Sequence, residues 1–388
     1  MPTIRDAAIR LADLFAGGRQ ELSDRTDSDI EFESTVVIRP LSRTAPPADC
    51  WAVDGGQALV ADARSVQVAI TRAARVRWQA NLCTLEEQGT PAAHVLVGPG
   101  GGAEAKRSLA EMEAPVAPEA QVDLNLLRDW SEWRLVARCV EEAEPGAMVL
   151  VDGDLQPDWR ISAHWLAELL QRAAQRDVAL VGVTKHSSLA RGGAPLIGQL
   201  EIEAERALGA RACWWATVGV RRTDLGQARL PHPSPELAPD RRPGPPPGAP
   251  PGPPPGTPPG PPPGTPPGAA PSLLPGPSPE PYVPEGRSPG LTVVVARLDP
   301  DARFAFRADL PGHMDAEVLL GQLSALADDA GFPGYPYPLS VADRLASCPG
   351  WLRAEAWGEL DGELAAAGVP EDVRERAFAD RHGLMERS

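Results

Sequence analysis

Apolar positions along this chain follow two rhythms, one helical and one extended. Over residues 3–16, Ile4, Ala8, Leu11, Leu14 and Phe15 fall near one stripe, which predicts an amphipathic helix stopped by Gly17-Gly18. A short helix of this kind must bury its apolar face on the core or on a second subunit. Residues 20–48 are polar and irregular. Then short apolar runs begin. Trp51-Ala52-Val53-Asp54-Gly55-Gly56 reads as a buried strand that ends at its aspartate and turns at the glycines. Val66, Val68 and Ile70, continuing toward Val76, predict two further strands with tight connections. Residues 99–119, Gly-rich and then Pro/Glu-rich, read as a surface loop.

From Asp123 the rhythm turns helical. Asp123 caps a helix running to about Glu142, with Leu126, Trp130, Trp133, Ala137 and Val140 along one side. Glu132 shares a face with Leu135, Val136 and Cys139, beside the buried stripe. A strand over 147–152, a helix over 161–176 and a strand over 178–184 follow, and their continuous apolar character predicts a parallel βαβ unit. Three more strands are predicted over 213–220, 291–298 and 303–308, and a helix over 316–330. Two prolines in Gly334-Tyr335-Pro336-Tyr337-Pro338 fix an extended approach, after which Ser340 caps another helix; the last residues read as charged helix and tail.

From about Pro231 to Pro289 neither rhythm holds. Glycine recurs there every fourth residue, which excludes collagen and leaves a semi-rigid polyproline II spacer without a core. It reads as an insertion replacing a short hairpin loop, with a ligand for a proline-binding module as the functional rival. The expected organisation is an N-terminal helix and irregular segment at 1–48, a candidate dimer contact; the first part of the core at 49–230; the insertion at 231–289; and the rest of the core at 290–388. The length of 388 residues allows one large domain or two ordinary ones, and the hydrophobic fraction of 43% is ordinary for a folded protein. A formal charge of −16 means that the surface as a whole is no nucleic-acid footprint. Five cysteines without CxxC spacing point to a reducing cytoplasm and away from a disulfide framework or a zinc cluster. The N-terminus has no signal-peptide core, and no apolar run is long enough to cross a bilayer.

The strand ending in Asp54 has an echo, Leu150-Val151-Asp152-Gly153-Asp154-Leu155. Side by side, two such strands bring Asp54 and Asp152 to one sheet edge, where they repel unless a cation sits between them. Mg²⁺ and Mn²⁺ take such hard oxygen ligands. An Asp-Gly step alone is equally a turn signal. Asp154 assists or replaces Asp152 if the strand continues through Gly153. Glu132 is the helix carboxylate, with Glu141, Glu142 and Glu144 as neighbours able to take its place. Asp343 lies three residues after Ser340, a spacing that a capping box also explains. Lys185 and His186 end the last parallel strand, where open α/β sheets bind ligands. Lys185 suits a phosphate and His186 a proton relay, or both are solvated loop residues. Arg72, Arg75 and Arg77, and likewise Arg221 and Arg222, either track a DNA backbone or are scattered surface charges.

Taken in order, these pieces are Val53-Asp54-Gly55, a Glu-bearing helix, Leu150-Val151-Asp152-Gly153-x-Leu155, Val183-Thr184-Lys185-His186-Ser187 and Tyr335-Pro336-Tyr337-Pro338-Leu339-x-x-Ala342-Asp343. The set resembles the NurA family of DNA-end-processing nucleases over nearly the whole chain outside the Pro/Gly tract. That resemblance implies an RNase H-like mixed sheet flanked by helices. It implies DNA cleavage with Mn²⁺ or Mg²⁺, two ions being the usual complement, and a homodimer. It also implies 5′–3′ exonuclease and single-strand endonuclease activity in double-strand break repair, beside a HerA-type hexameric ATPase. By position the metal ligands fall on Asp54, Glu132, Asp152 and Asp343. The family usually reads Asp-Gly-Ser at both aspartates; here Gly56 and Asp154 stand in the serine places. An acidic chain fits an enzyme whose DNA is delivered by a motor, and predicts weak, salt-sensitive DNA binding by this chain alone. The rival readings are a catalytically inactive dimeric subunit capping a ring ATPase, and an RNase H-type enzyme acting on RNA.

Overall fold

The computed structural model describes residues 3–16, 21–25, 29–222, 290–329 and 331–378. The Pro/Gly tract, the Gly17-Gly18 stop and the C-terminal tail lie outside them. Helix α1 (Ile4–Ala16) forms where its stripe predicts, yet Ile4, Ile9, Leu11 and Phe15 are exposed. Residues 20–48 are less irregular than expected. They supply strands β1 (Leu22–Asp24), β2 (Ile30–Phe32) and β3 (Arg39–Pro40).

Strand β4 (Asp49–Asp62) runs straight through Gly55-Gly56, where the sequence predicted a turn, and pairs antiparallel with β5 (Val66–Gln79) along its length. The expected pair of strands over 66–76 is this one long strand. Strands β6 (Leu82–Gln88) and β7 (Ala92–Val97) return along its two halves. The expected loop over 99–119 contains helix α2 (Gly102–Glu111), which buries Ala105 and Leu109. These stand at i and i+4, one helix face, and the glycines precede that helix without dissolving it.

Helix α3 (Leu124–Glu142) begins at its predicted cap, the Asp123 side chain accepting from the Leu126 N–H at 2.9 Å. Strand β8 (Met148–Asp152), helix α4 (Ala163–Gln175) and strand β9 (Ala179–Thr184) then form the expected parallel unit, and β8 also lies parallel to β4. The remaining elements are β10 (Leu189–Arg191), β11 (Ala194–Pro195), α5 (Leu196–Leu208), β12 (Trp214–Arg221), β13 (Leu291–Arg297), β14 (Phe306–Pro311), α6 (Ala316–Ala325), α7 (Tyr337–Ala346), α8 (Gly350–Ala366) and α9 (Glu371–Phe378). Strand β14 starts later, and α6 ends earlier, than the sequence pattern predicts.

The large sheet runs β2-β12-β13-β14-β9-β8-β4-β5-β6, with β3 on β12 and β7 on β5. Its half β6-β5-β4-β8-β9 is an antiparallel meander followed by two strands parallel to the first, the RNase H-like arrangement. Strands β4 and β8 are buried on both faces, so their alternate residues enter different cores. Trp51, Val53, Val149 and Val151 pack with α2, α3 and α4. Cys50, Ala52, Met148 and Leu150 pack with α6 and α7. A third core joins α5 to β12 and β13.

Helix α7 corrects another expectation. It begins at Tyr337 after Pro336, and Ser340 lies inside it, its N–H bonded to the Pro336 carbonyl. Proline is tolerated in a first helical turn, so the helix starts earlier than a serine cap would have it. Asp343 therefore belongs to no capping box.

Of the arginines proposed for a DNA track, Arg72, Arg75 and Arg221 are buried and structural, Arg77 is half-buried in an ion pair, and Arg222 is exposed. Arg75 is buried between Glu87 and Glu142, at 2.8 and 2.7 Å, and Arg77 holds Asp49 at 2.8 Å. Both guanidinium groups lie over Trp51. Arg72 is buried and donates to the Ser347 carbonyl. Arg221 bonds the Leu155 carbonyl and Asp309, and Arg222 pairs with Glu31.

Candidate metal centre

Following the alternation, Asp54 continues the face of Cys50 and Ala52, and Asp152 continues the face of Met148 and Leu150. Parallel pairing matches Val53 with Val151, so both carboxylates emerge at one level. Helix α7 covers this face and brings Asp343. One carboxylate oxygen from each of Asp54, Asp152 and Asp343 lies within 4.8 Å of the others. Asp54 is buried, Asp152 half-buried and Asp343 exposed, so the cluster opens to solvent on the α7 side.

Two glycines let the helices come this close. A Cβ on Gly55 would stand 2.9 Å from Glu132 Oε2, and one on Gly56 would stand 2.0 Å from the Ala346 carbonyl oxygen. Gly55 is thus the window for α3 and Gly56 the window for α7. Glu132 is 2% exposed and reaches Asp54 from the face opposite α7, lying against Gly55. It stands beside the three aspartates, not among them.

The carboxylates are crowded. Two ionised groups 4.8 Å apart repel by roughly 3–4 kcal/mol at an effective dielectric of about 20. Burial, and then the charge of Asp152, push Asp54 up to about 8. Burial, and then the charge of Asp54, push Glu132 well above the ordinary carboxylate range. Two cations offset part of this. Lys185 Nζ donates to Asp152 Oδ2 at 2.8 Å and lies 4.5 Å over the Tyr335 ring. Burial lowers its pKa, but Asp152's hydrogen bond and charge outweigh that and hold it above the ordinary value. Arg128 Nη1 lies 3.3 Å from Glu132 Oε2 and 3.4 Å from the Gly55 carbonyl oxygen. His186, one residue past Lys185, is exposed.

Tyr335 lies beside the cluster. It is 1% exposed, and its hydroxyl meets no partner at full hydrogen-bond geometry. Burial, then the Asp152 charge and a hydrogen bond toward Asp152, raise its pKa, so it remains an O–H donor turned to that carboxylate. Buried hydroxyls are normally partnered. Three hard oxygen ligands and the negative charge that Lys185 and Arg128 leave over fit a divalent cation of the Mg²⁺ or Mn²⁺ class. Asp54, Asp152 and Asp343 would hold it.

Asp154 does not join the cluster. Strand β8 ends at Asp152, Gly153 turns with φ of 133°, and Asp154 comes 3.7 Å from Arg307. Sequence reasoning missed Arg128 and Tyr335. Arg128 had a signal, its i,i+4 spacing to Glu132. Tyr335 sat in a quoted motif that carries no sign of burial.

By sequence, no family model and no curated protein matches the chain. Among solved structures, the chain is similar to the NurA nuclease from Sulfolobus solfataricus, at 14% identity over 94% of this chain and 95% of that one, with a TM-score of 0.46. It is similar to human endonuclease V at 13% identity over 80% and 86%, TM-score 0.36. The catalytic domain of human endonuclease V gives 14% identity over 85% and 92%, TM-score 0.35.

Proposed function

We propose that the chain is a metal-dependent nuclease that hydrolyses phosphodiester bonds of DNA at strand ends. The observation that carries this reading is the convergence of carboxylate oxygens of Asp54, Asp152 and Asp343, from two strands and a helix, within 4.8 Å of one another. A divalent cation bound there, or a pair of them, supplies activation of water and charge relief on the leaving oxygen. The chain's own groups do the rest. The three aspartates hold the cation site, and Glu132 braces it from behind Asp54 or completes it as a fourth ligand. Lys185, already turned to the carboxylates, is placed to bind a non-bridging phosphate oxygen as a point charge. His186, next to Lys185 in the chain and open to solvent, would relay a proton to the leaving alkoxide. Tyr335, its O–H turned toward Asp152, would help to hold that carboxylate and keep its own proton.

The motif order quoted above supports the finer reading. On it the chain is a 5′–3′ exonuclease with single-strand endonuclease activity, working as a homodimer in double-strand break repair with a HerA-type hexameric translocase. The exposed apolar residues of α1 suit a dimer contact.

The test is Mn²⁺-dependent release of labelled nucleotides from a duplex end, wild type against Asp54→Asn. We expect a loss of at least roughly a hundredfold, since that is the upper end for losing a residue that merely supports a metal ligand. Equal, near-zero rates in both would overturn the nuclease and leave a binding subunit. Parallel DNA, RNA and hybrid substrates separate a deoxyribonuclease from an enzyme of RNA.

A further inference from the structure

The loop from β8 to α4 leaves the sheet at Asp152 and is fastened along its length. The Leu155 N–H donates to Asp309 Oδ2 at 3.1 Å, and its carbonyl accepts from Arg221. The Asp158 N–H donates to Asp129 Oδ2 at 2.6 Å. The Arg160 side chain holds Asp123 Oδ1 at 3.0 Å and the Gln121 carbonyl at 2.7 Å. Ile161 is buried and bridges to Val116.

In the middle of this fixed loop Trp159 is 75% exposed. The Arg160 guanidinium lies 5.8 Å from its ring centroid, and among the described residues no aromatic ring stacks on it. Trp165, a few residues on, shows the alternative. It packs edge-on against Trp130 and Trp133 at 4.9 and 6.1 Å. The chain can bury an indole here and keeps this one out. Its sequence neighbours are Asp158 and Arg160, paired with each other, and Arg160 in turn holds Asp123.

The loop is joined to the metal centre in sequence. It starts at Asp152, and one of its anchors, Asp129, precedes Glu132 by about one turn of α3. We infer that Trp159 is a stacking platform for an unpaired nucleobase of the strand whose phosphate lies at Asp54, Asp152 and Asp343. This rests on the nuclease reading. Stacking on an indole face tolerates every base, so the platform selects single-stranded or frayed ends without selecting sequence. A rigid loop presents the ring without an ordering cost at binding.

The test uses the full chain and short single strands carrying 2-aminopurine, whose fluorescence falls when it stacks. Binding is read in Ca²⁺ and cleavage separately in Mn²⁺. Wild type should quench the probe at one register near the scissile phosphate. Trp159→Ala should abolish that quench and weaken binding roughly tenfold, within the range for one lost base stack, and Trp159→Phe should keep most of both. The exposed position means that the thermal midpoint of Trp159→Ala should match wild type. No quench in wild type, or the same quench in Trp159→Ala, overturns the inference. Loss of self-association in Trp159→Ala with an unchanged quench also overturns it, in favour of a protein contact. A Trp159-dependent quench without cleavage upholds the platform while the nuclease reading fails.

Discussion

Asp54 is buried among carboxylates and keeps a proton unless a cation takes its place. Its ordinary pKa is 3.8, and in the fold burial and Asp152 push it up to about 8. Between those values the folded chain holds a proton that the unfolded chain has released. Stability therefore falls as pH rises through that window. Glu132, raised well above its ordinary value, and Asp129, raised by burial to about 6, act with the same sign. Asp123 and Glu142 are held low, despite burial, by Arg160 and by Arg138 with Arg75, and their contributions are lost only on the acid side. A divalent cation prefers the ionised ligands, so its binding releases protons and strengthens with pH. In chelator, the thermal midpoint should drop by several degrees from pH 5.5 to pH 8, and Mn²⁺ should raise it more at pH 8 than at pH 5.5. Asp54→Asn should flatten most of both trends. A midpoint in chelator that rises over this range, or an equal Mn²⁺ shift at both pH values, would sink the account of these carboxylates.

At the scale of elements, two neighbouring glycines in β4 do different work. A Cβ at Gly56 meets the Ala346 backbone carbonyl at 2.0 Å, and backbone at a helix end cannot swing aside. Gly56→Ala should cost roughly 1–3 kcal/mol, the usual penalty of overpacking, and displace α7 with Asp343. A Cβ at Gly55 meets the Glu132 carboxylate at 2.9 Å, whose end can turn, and Glu132 Cβ at 3.1 Å, which asks α3 to give by only a few tenths of an ångström. Gly55→Ala should keep more of the thermal midpoint and lose cleavage. Equal loss of midpoint in both variants would contradict this division. These glycines also mark the limit of what the sequence makes legible. Helices α3 and α4 and strands β8 and β9 are readable because periodicity and caps are local. The Asp-Gly step of β4 looks the same whether it turns or continues. What decides it is the approach of Glu132 and Ala346, remote in sequence. Helix α2 was hidden because only Ala105 and Leu109 mark its stripe beside a glycine run. The meeting of Asp54, Asp152 and Asp343 could be anticipated from the order of motifs. The departure of Asp154 could not, because it depends on the Gly153 backbone angle, and the burial of Tyr335 depends on packing alone.

For the whole molecule, the Pro/Gly tract poses a question of closure. Strands β12 and β13 are antiparallel neighbours, and Arg221 and Leu291 are register partners at their ends. The intervening residues therefore close a hairpin whose two ends are already side by side. Closure entropy depends on length, at about 0.6 kcal/mol for each doubling of a flexible loop. Going from roughly seventy residues to a four-residue turn is about four doublings, hence about 2.5 kcal/mol in favour of the fold. Replacing residues 223–289 with such a turn, built on Asn-Gly as tight hairpins prefer, should raise the thermal midpoint by a few degrees. It should leave Mn²⁺-dependent cleavage in place, since Asp54, Asp152 and Asp343 all lie outside the excised stretch. A lower midpoint would mean that the tract contributes contacts to the fold, and the insertion reading would fail. An unchanged or higher midpoint with lost engagement of a translocase would identify the tract as a partner ligand, because stability and recognition would then have separated.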